Sequence, residues 1–460
     1  MNGLQPATAR EPIVYVVHCV DTEGPLSETL DATFERLKAI YGLNLEPNRQ
    51  TLEQLQQQRL DVGSPERARA VAETAAPRHL TYHETWDALD GMLDRLDAPA
   101  VRMALPDSDG MGWIVNWHCV AHYGFDPALN PRRRHLGVHA IFDHYRQRYG
   151  SDNPLNPLHW HFHPVARSRQ ANHSASAYFT SPVVFEIVSR RILERLWFPC
   201  VNRPGFNVER PDSHWFLEQW MPFDIANNNA GESCDQPDVG DGRLGDWRRA
   251  PADWVVYHPH HDDYQAPGAC RRAIARCLYL GGRFNRITER EVEQAFERAR
   301  QGPVVMAFFN HDFRDMVPEV QEMQGMLARA TRRYPDVRWH HAGAVEAMRG
   351  VLGLRPEPHA RFDLKIDRHG GVGHRLRVGL DRQPFGPQPW LCYALSDGSV
   401  WHDNLDTGLE PRHWHYTFDD QSTPLAEVVS IGLATNTADG RTTVTTLDPA
   451  TGKQQVAFHN

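Results

Sequence analysis

Short apolar runs rich in β-branched residues alternate with helical patterns through most of the chain, and this alternation limits the possible folds more than any other feature. The apolar runs lie at 13–20, 101–105, 158–163, 255–257, 304–310 and 337–340. The helical patterns lie at 183–196, 213–220 and 289–300. Buried strands that alternate with helices form parallel sheets covered by those helices. The sequence therefore predicts an α/β fold, either a (β/α) barrel or a doubly wound sheet.

The last hundred residues have a different pattern. From residue 362 onward, short alternating strands are separated by turn pairs such as Asp397-Gly398 and Asp439-Gly440. This pattern is typical of an all-β, sandwich-like module. We therefore predict a barrel at 1–352 and a β-rich accessory domain at 353–460.

A long polar stretch near 26–99 interrupts the predicted barrel after its first strand. Helical patterns are present at 29–41 and 85–96, and the residues between them are rich in Gln and Arg. We expect an insertion in the barrel here, in which the piece between the two helical patterns is solvated.

Composition argues against several classes of protein. No apolar run approaches the ~20 residues that a membrane-spanning helix needs. The net charge of -9 gives no electrostatic basis for binding nucleic acid or anionic lipid. The polar N-terminus lacks the profile of a secretory signal, and the seven cysteines show no CxxC spacing. We therefore expect a cytoplasmic protein with reduced thiols, no nucleic-acid partner and no membrane span.

Three histidines occur within five residues in the segment Leu158-His-Trp-His-Phe-His-Pro164. On an extended strand all three side chains point to one side, whereas on a helical turn His159 and His163 converge. Either arrangement suits a divalent metal ion with neutral imidazole ligands. The alternative is that these side chains line a barrel core or a substrate groove.

Asp21 and Glu23 follow the first apolar run, where barrel enzymes keep their catalytic groups. Their spacing allows both carboxylates to face one cavity, so that one binds a metal ion and the other takes a proton from water. The alternative is a helix N-cap. His311 ends a later apolar run and is placed to protonate a leaving amine, with Asp312 or another acid orienting its ring. The alternative is a strand-end histidine with a structural hydrogen bond.

These motifs, in this order, resemble the polysaccharide deacetylase family, also called the NodB-homology domain, over roughly residues 12–350. That family has an acidic pair after its first strand, a His-x-x-x-His-Pro segment, an Arg-containing loop, an Asp-Trp segment and a late strand that ends in His. The matching segments here are Asp21-Thr22-Glu23, His159 to Pro164, Asn202-Arg203-Pro204-Gly205, Ala252-Asp253-Trp254 and Phe309-Asn310-His311. The resemblance implies an irregular (β/α) barrel of the deacetylase type.

The resemblance also implies a role for individual residues. It assigns metal binding to Glu23, His159 and His163, the catalytic base to Asp21, the general acid to His311, and orientation of the catalytic carboxylate to Arg203. Asp21 and Glu23 can exchange roles, because their Asp-x-Glu spacing departs from the family's usual adjacent aspartates. That usual pair occurs only at Asp419-Asp420, where no His-x-x-x-His follows, and is predicted to be a turn.

The implied reaction is hydrolysis of an N-acetyl or other N-acyl group from an amino sugar, with a divalent metal ion as cofactor and Zn²⁺ favoured. The segment at 106–134 is similar to longer deacetylase-like proteins of surface polysaccharide or lipopolysaccharide synthesis. Two alternatives remain at this point, namely a carbohydrate-binding protein of this fold without activity and a hydrolase of a non-sugar amide.

Overall fold

The computed structural model describes residues 11–133, 135–175, 177–231, 245–370 and 373–460. The polar N-terminus, Arg134 of the 106–134 segment and Cys234 lie outside these residues. The six described cysteines are free thiols. Among the described helices, none has the length and apolarity needed to cross a membrane.

Eight parallel strands of the described chain form the central sheet, and seven of them close into a barrel. The strands are β1 (Ile13–Thr22), β2 (Val115–Val120), β3 (Leu158–Phe162), β4 (Val201–Pro204), β5 (Phe223–Asn227), β8 (Ala273–Tyr279), β9 (Val304–His311) and β10 (Arg338–His341), with β6 (Pro259–His260) and β7 (Asp263–Pro267) forming a small antiparallel pair. The order β1-β2-β3-β4-β5-β8-β9 closes because β9 pairs with β1. The prediction of an α/β barrel is confirmed.

Side chains alternate between the barrel interior and the layer beneath the helices. Val17 and Cys19 of β1 share a buried cluster with Phe223 and Ile225 of β5. Because β1 and β5 lie on opposite sides of the closed barrel, these side chains meet inside it. On β3, Trp160 packs in the other large cluster, which includes the helices. Its neighbours on β3 are histidines, which the alternation therefore directs into the barrel.

Eleven α-helices surround the barrel in the described part of the chain. They are α1 (Leu30–Tyr41), α2 (Arg49–Gln56), α3 (Pro65–Thr74), α4 (Trp86–Asp97), α5 (Pro99–Arg102), α6 (Ala140–Tyr149), α7 (Val183–Arg195), α8 (Pro211–Trp220), α9 (Glu289–Ala299), α10 (Val317–Arg333) and α11 (Ala344–Leu352). The five helices predicted from the sequence are all present.

The piece between the two helical patterns of the insertion differs from the predicted solvated segment, because it forms α2 and α3. Helices α1, α2 and α3 have a hydrophobic core of their own, in which Phe34, Leu37, Leu55 and Val71 are buried. The side chains of Thr29, Asn48 and Ser64 cap the three helices at their first turns. The stretch reads as polar because each helix has one narrow apolar face, which is enough to pack against two others.

Two predicted strands are wrong. Residues 99–102 form α5, which begins at a proline, and the second barrel strand lies further on as β2. Strand β2 was missed because the polar residues Asn116 and His118 alternate with Trp117 and Cys119, which leaves no apolar run. In the predicted strand at 255–257, only Tyr257 pairs, through an isolated bridge to Ile274.

Two antiparallel sheets follow the barrel. One has the order β11-β12-β16-β15 and the other β14-β13-β17-β18-β19. The strands are β11 (Phe362–His369), β12 (Gly373–Leu380), β13 (Trp390–Leu395), β14 (Val400–Asp403), β15 (Asp406–Thr407), β16 (His413–Phe418), β17 (Val428–Asn436), β18 (Thr442–Leu447) and β19 (Gln454–His459). Residues of both sheets share one buried cluster. The short strands predicted from residue 362 onward are present.

Strand β13 joins this region to the barrel, because its two faces belong to different cores. Leu391 and Tyr393 pack in the cluster between the sheets, whereas Trp390 and Cys392 pack with the barrel helices. The indole nitrogen of Trp390 donates a hydrogen bond to Ser189 Oγ of α7 at 3.2 Å. Trp390 is fully buried, so it is a central contact of this interface.

We expect Trp390→Ala to lower the free energy of unfolding by about 3–5 kcal/mol, because it leaves a cavity of indole size in a closely packed core. Urea unfolding followed by circular dichroism measures this change. Trp401→Ala is the matched control, since Trp401 is 55% exposed on β14 and its loss is expected to change stability by less than about 0.5 kcal/mol. Equal effects of the two changes would contradict the proposed importance of Trp390.

Candidate active site

A cavity of about 270 Å³ opens at the C-terminal ends of the barrel strands. Five of the six residues predicted to form the site line it, namely Asp21, Glu23, His163, Arg203 and His311. These residues belong to or directly follow strands β1, β3, β4 and β9. The carboxyl ends of parallel barrel strands meet at one face, which is why residues so distant in sequence share one cavity.

Three buried side chains in this cavity form a group with the composition and spacing of metal ligands, namely Glu23, His161 and His163. Nε2 of His163 lies 2.9 Å from Oε1 of Glu23 and 3.0 Å from Nε2 of His161. Nε2 of His161 lies 3.9 Å from the same Glu23 oxygen. Tetrahedral zinc ligands with bonds of ~2.0–2.1 Å are separated by roughly 3.3 Å, so the three donor atoms have suitable distances.

The protonation of His161 also fits a metal ligand. Nδ1 of His161 lies 2.7 Å from the carbonyl oxygen of Arg203. A carbonyl can only accept, so Nδ1 carries the hydrogen and Nε2 presents a lone pair to Glu23 and His163. Burial, together with the neighbouring His163, lowers the pKa of His161 well below its ordinary value. The ring is therefore neutral, as a metal-binding imidazole must be.

His159, the remaining predicted ligand, does not join this group. It lies two residues before His161 on an extended strand, which places it roughly 6.6 Å deeper in the barrel. Its Nε2 atom is 3.1 Å from Oδ1 of Asn116, and its side chain lines a different cavity, which also includes Trp197 and Arg349. The His-x-x-x-His spacing brings two rings together on a helical turn, whereas on a strand the residues two apart are closer.

Arg133 fixes the Glu23 carboxylate on the side away from His163, and Nε2 of His122 lies 3.1 Å from the backbone carbonyl oxygen of Glu23. Arg133 forms an ion pair with Oε2 of Glu23, and Nε2 of His122 lies 3.4 Å from the same oxygen. Burial alone would raise the pKa of Glu23, but Arg133 and His163 hold it well below its ordinary range. Glu23 is therefore ionised at neutral pH. Neither neighbour was predicted as a site residue, because both lie in loops beyond β2 and not at a recognised strand end.

Asp312 supports the backbone beside Glu23 and does not orient His311, which differs from the prediction. Its two carboxylate oxygens accept hydrogen bonds from the backbone N–H groups of Glu23 at 2.7 Å and Gly24 at 2.9 Å. The hydroxyl of Tyr145 donates to the second oxygen at 2.8 Å. Burial raises the pKa of Asp312 to about 7 although these hydrogen bonds oppose the rise. The loop after β9 is thus tied to the loop after β1.

Asp21 and Arg203 form a buried pair beside the proposed ligands. Nε of Arg203 donates to Oδ1 of Asp21 at 3.0 Å, and its guanidinium lies 3.7 Å from the ring centroid of Phe309. Burial raises the pKa of Asp21, while Arg203 and His311 limit the rise. The carboxylate of Asp21 therefore has more basic character than an exposed aspartate.

The ring of His311 is oriented by Tyr279 and Arg314. Arg314 Nη2 donates to the hydroxyl oxygen of Tyr279 at 3.3 Å, and the same hydroxyl lies 2.8 Å from Nδ1 of His311. The Tyr279 hydroxyl is thus the partner of Nδ1, and Nε2 is the ring nitrogen that remains for exchange of a proton. Burial lowers the pKa of His311 to about 3. At neutral pH the ring of His311 is therefore neutral.

Gly205 allows the loop after β4 to approach His163. A Cβ atom at this position would lie 2.3 Å from Cδ2 of the His163 ring. Any larger residue would displace the histidine or the loop. The glycine of the Asn202-Arg203-Pro204-Gly205 segment thus serves the packing of the neighbouring histidine.

The other candidates from the sequence lie away from the cavity. Asp253 is exposed, and Trp254 is buried against α9, where its indole donates to the carbonyl of Glu291 at 2.8 Å. The Asp419-Asp420 pair follows β16, and Oδ1 of Asp419 accepts from the backbone N–H groups of Gln421 and Ser422. This pair is a turn, as predicted.

No family model matches this chain, and neither curated proteins nor solved structures give a significant match. The resemblance to polysaccharide deacetylases therefore stays a prediction from short motifs.

Proposed function

We propose that this chain is a metal-dependent hydrolase that removes an N-acetyl or other N-acyl group from an amino sugar, in a barrel of the deacetylase type with an accessory β domain at 353–460. The observation that supports it most is the buried group of Glu23, His161 and His163, which lines the same cavity as Asp21 and His311. A ligand group, a carboxylate and an imidazole at one site are the components that metal-assisted amide hydrolysis needs.

Glu23, His161 and His163 would hold a divalent ion, whose chemistry when bound is to polarise a carbonyl group and to lower the pKa of water. Asp21 is the base that takes the proton of the attacking water, because burial raises its pKa and Arg203 fixes one of its oxygens. Arg203 itself is held by the carbonyl of Ile225 and by Asn207. Asp21 therefore has a fixed orientation towards the cavity.

His311 delivers a proton to the departing amine, and because its ring is neutral at rest, it must first receive that proton at Nε2. Nε2 has no hydrogen-bond partner among the described residues, whereas Nδ1 contacts the hydroxyl of Tyr279. Asp21 and His311 are register partners on the adjacent strands β1 and β9. The proton that Asp21 takes from water can therefore pass to Nε2 of His311 and from there to the amine, which leaves both side chains in their starting states.

The experiment that tests the proposed function is a metal analysis of the purified full chain, followed by assay of amine release from small N-acetylated amino sugars. We expect one divalent ion per chain and release that stops when a chelator removes the ion. A chain that binds one ion and also binds these sugars without releasing amine would contradict hydrolysis and support a binding protein. A chain that releases amine only from non-sugar amides would contradict the sugar substrate.

The pH dependence of the reaction is expected to change when Arg203 loses its charge. Asp21 must be ionised to accept a proton, so kcat/KM falls as the pH drops through its pKa in the folded protein. Arg203 lowers that pKa, so Arg203→Met should move the acidic limb to higher pH. The pH profile of kcat/KM measures the change, and Arg203→Lys, which keeps the charge, is the control. An acidic limb that stays in place in Arg203→Met would contradict the role of Asp21 as the base.

A further inference from the structure

The cavity contains more positive charge than the proposed reaction requires. Six arginines line it, namely Arg36, Arg132, Arg133, Arg203, Arg283 and Arg314, and only two carboxylates, Asp21 and Glu23, line it with them. Two further carboxylates lie just behind the wall, where Glu28 pairs with Arg36 and Arg132 and Glu319 pairs with Arg314. Six guanidinium groups therefore face four carboxylates, before any metal ion adds its charge.

Arg283 is the arginine without a carboxylate partner among the described residues. Its Nε donates to the carbonyl of Thr74 at 3.0 Å, and its Nη2 donates to the carbonyl of His79 at 3.1 Å. These bonds hold the side chain at the cavity wall but do not neutralise it. Burial and the nearby guanidinium of Arg36 lower the pKa of Arg283 to about 10. Arg283 therefore remains charged at neutral pH. Its guanidinium and that of Arg36 repel each other, which is electrostatically unfavourable.

Arg36 and Arg314 lie in the same part of the cavity as Arg283. Arg36 shares its partner Glu28 with Arg132, so that one carboxylate balances two cations. Arg314 is almost fully buried, and its Nη2 contacts Glu319 at 3.4 Å. Guanidinium groups in such a setting suit a carboxylate or a phosphate, with which they form charge-assisted hydrogen bonds.

We propose that Arg283, together with Arg36 and Arg314, forms a subsite for an anionic group, a carboxylate or a phosphate ester, on the molecule that occupies the cavity. The idea that this molecule is a substrate rests on the proposed function. The prediction that an anionic group binds here does not. Arg314 also donates to Tyr279, which holds His311, so the anionic group would bind next to the proton donor. The aromatic rings of Tyr82 and Phe284 line the adjacent wall and suit a sugar ring.

This subsite gives a role to the helical insertion at 26–99. Arg36 belongs to α1, Tyr82 to the segment after α3, and the carbonyl groups that fix Arg283 come from Thr74 and His79. The insertion therefore supplies both one cation and the anchor for another. A minimal barrel without this insertion would lack both.

The test is isothermal titration calorimetry of the full chain at low ionic strength with four probes. Inorganic phosphate and N-acetylglucosamine 1-phosphate represent phosphate, glucuronic acid represents carboxylate, and N-acetylglucosamine is the neutral reference. At least one anionic probe is expected to bind roughly 10- to 100-fold more tightly than the neutral sugar, because charge-assisted hydrogen bonds carry that much discrimination. The anionic probe that binds most tightly shows whether the subsite prefers a phosphate or a carboxylate. Equal affinity for anionic and neutral probes would overturn the proposal.

Substitutions of Arg283 and Arg36 test whether these arginines bind the anion. Arg283→Gln is expected to lower the affinity for the anionic probe roughly 10-fold or more. Arg283→Lys, which keeps the charge, should lower this affinity less. If Arg283→Gln does not fold, Arg36→Gln tests the same subsite, because Glu28 retains its pair with Arg132. Arg329→Gln, an exposed arginine paired with Glu289 on the outer helices, is the control. Unchanged anion affinity in the folded subsite variants would overturn the assignment.

The His161→Ala variant separates this proposal from the proposed function. We expect its affinity for anions to persist, because the arginines do not depend on the proposed metal ligands. Loss of anion binding in His161→Ala, together with normal binding in Arg283→Gln, would mean that the metal ion binds the anion and would overturn the subsite alone. A chain that binds no metal but binds anions through Arg283 would leave the subsite standing and overturn the metal site.

Discussion

Replacement of His161 by Ala is expected to abolish stoichiometric binding of a divalent ion. Nε2 of His161 presents a lone pair 3.0 Å from Nε2 of His163, so the change removes one of three donors from the group. Loss of a residue that merely supports a ligand weakens metal affinity 10–100-fold, and we expect loss of a ligand to exceed roughly 100-fold. The measurement is metal content per chain after dialysis, by inductively coupled plasma mass spectrometry.

His159→Ala is the matched control on the same strand. His159 and His161 are both buried inside the barrel, so both changes carry a similar risk for stability. We expect His159→Ala to retain the ion, because its ring nitrogen contacts Asn116 and not Glu23 or His163. The opposite result, with the ion lost from His159→Ala and kept by His161→Ala, would restore the ligand set that the His-x-x-x-His spacing predicts.

His311→Ala is expected to keep the metal ion and to lower kcat by roughly 10²–10⁴-fold, the usual contribution of a positioned acid or base. The loss should be in kcat more than in KM, because the proton is needed in the transition state and not in ground-state binding. Steady-state kinetics on an N-acetylated amino sugar, together with metal analysis of the same preparation, measure both quantities.

Tyr279→Phe distinguishes proton donation from ring positioning. The variant keeps the imidazole but removes the hydroxyl that holds Nδ1 at 2.8 Å. We expect a loss of kcat of up to roughly 10-fold, the value of one hydrogen bond.

If His311→Ala loses the metal ion, or shows only a raised KM, the assignment of His311 as the acid is wrong.

Much of the site could be predicted from the sequence, because strand ends in a barrel carry functional residues. Asp21, Arg203 and His311 each lie at the end of a strand and line one cavity. Which histidine accompanies His163 could not be read from spacing, because the choice depends on whether the segment is a strand or a helical turn. Only the paired register of β2 and β3 decides that the histidines lie on a strand.

The anionic subsite had no sequence signal at all. Arg36 and Arg283 are more than 240 residues apart and belong to an insertion and a loop. Similarly, strands β4 and β5 have only four and five residues and include the buried polar residues Asn202, Arg203 and Asp224. Apolar periodicity identifies strands whose inner face is hydrophobic. It fails for strands that carry hydrogen-bonded polar side chains on the inner face or on the face that packs against the helices.

The pairing of β1 with β9 has a consequence for synthesis of the chain on the ribosome. Strand β1 can pair with β2 early, but its other partners, β9 and β10, are made roughly 180 residues after β2. At translation rates of about 5–20 residues per second, one edge of this apolar strand stays unpaired for roughly 10–40 seconds. Unpaired strand edges promote aggregation, so nascent chains that stop before residue 304 should require chaperone protection. The Glu23 loop likewise cannot be fixed by Asp312 until residue 312 has been made.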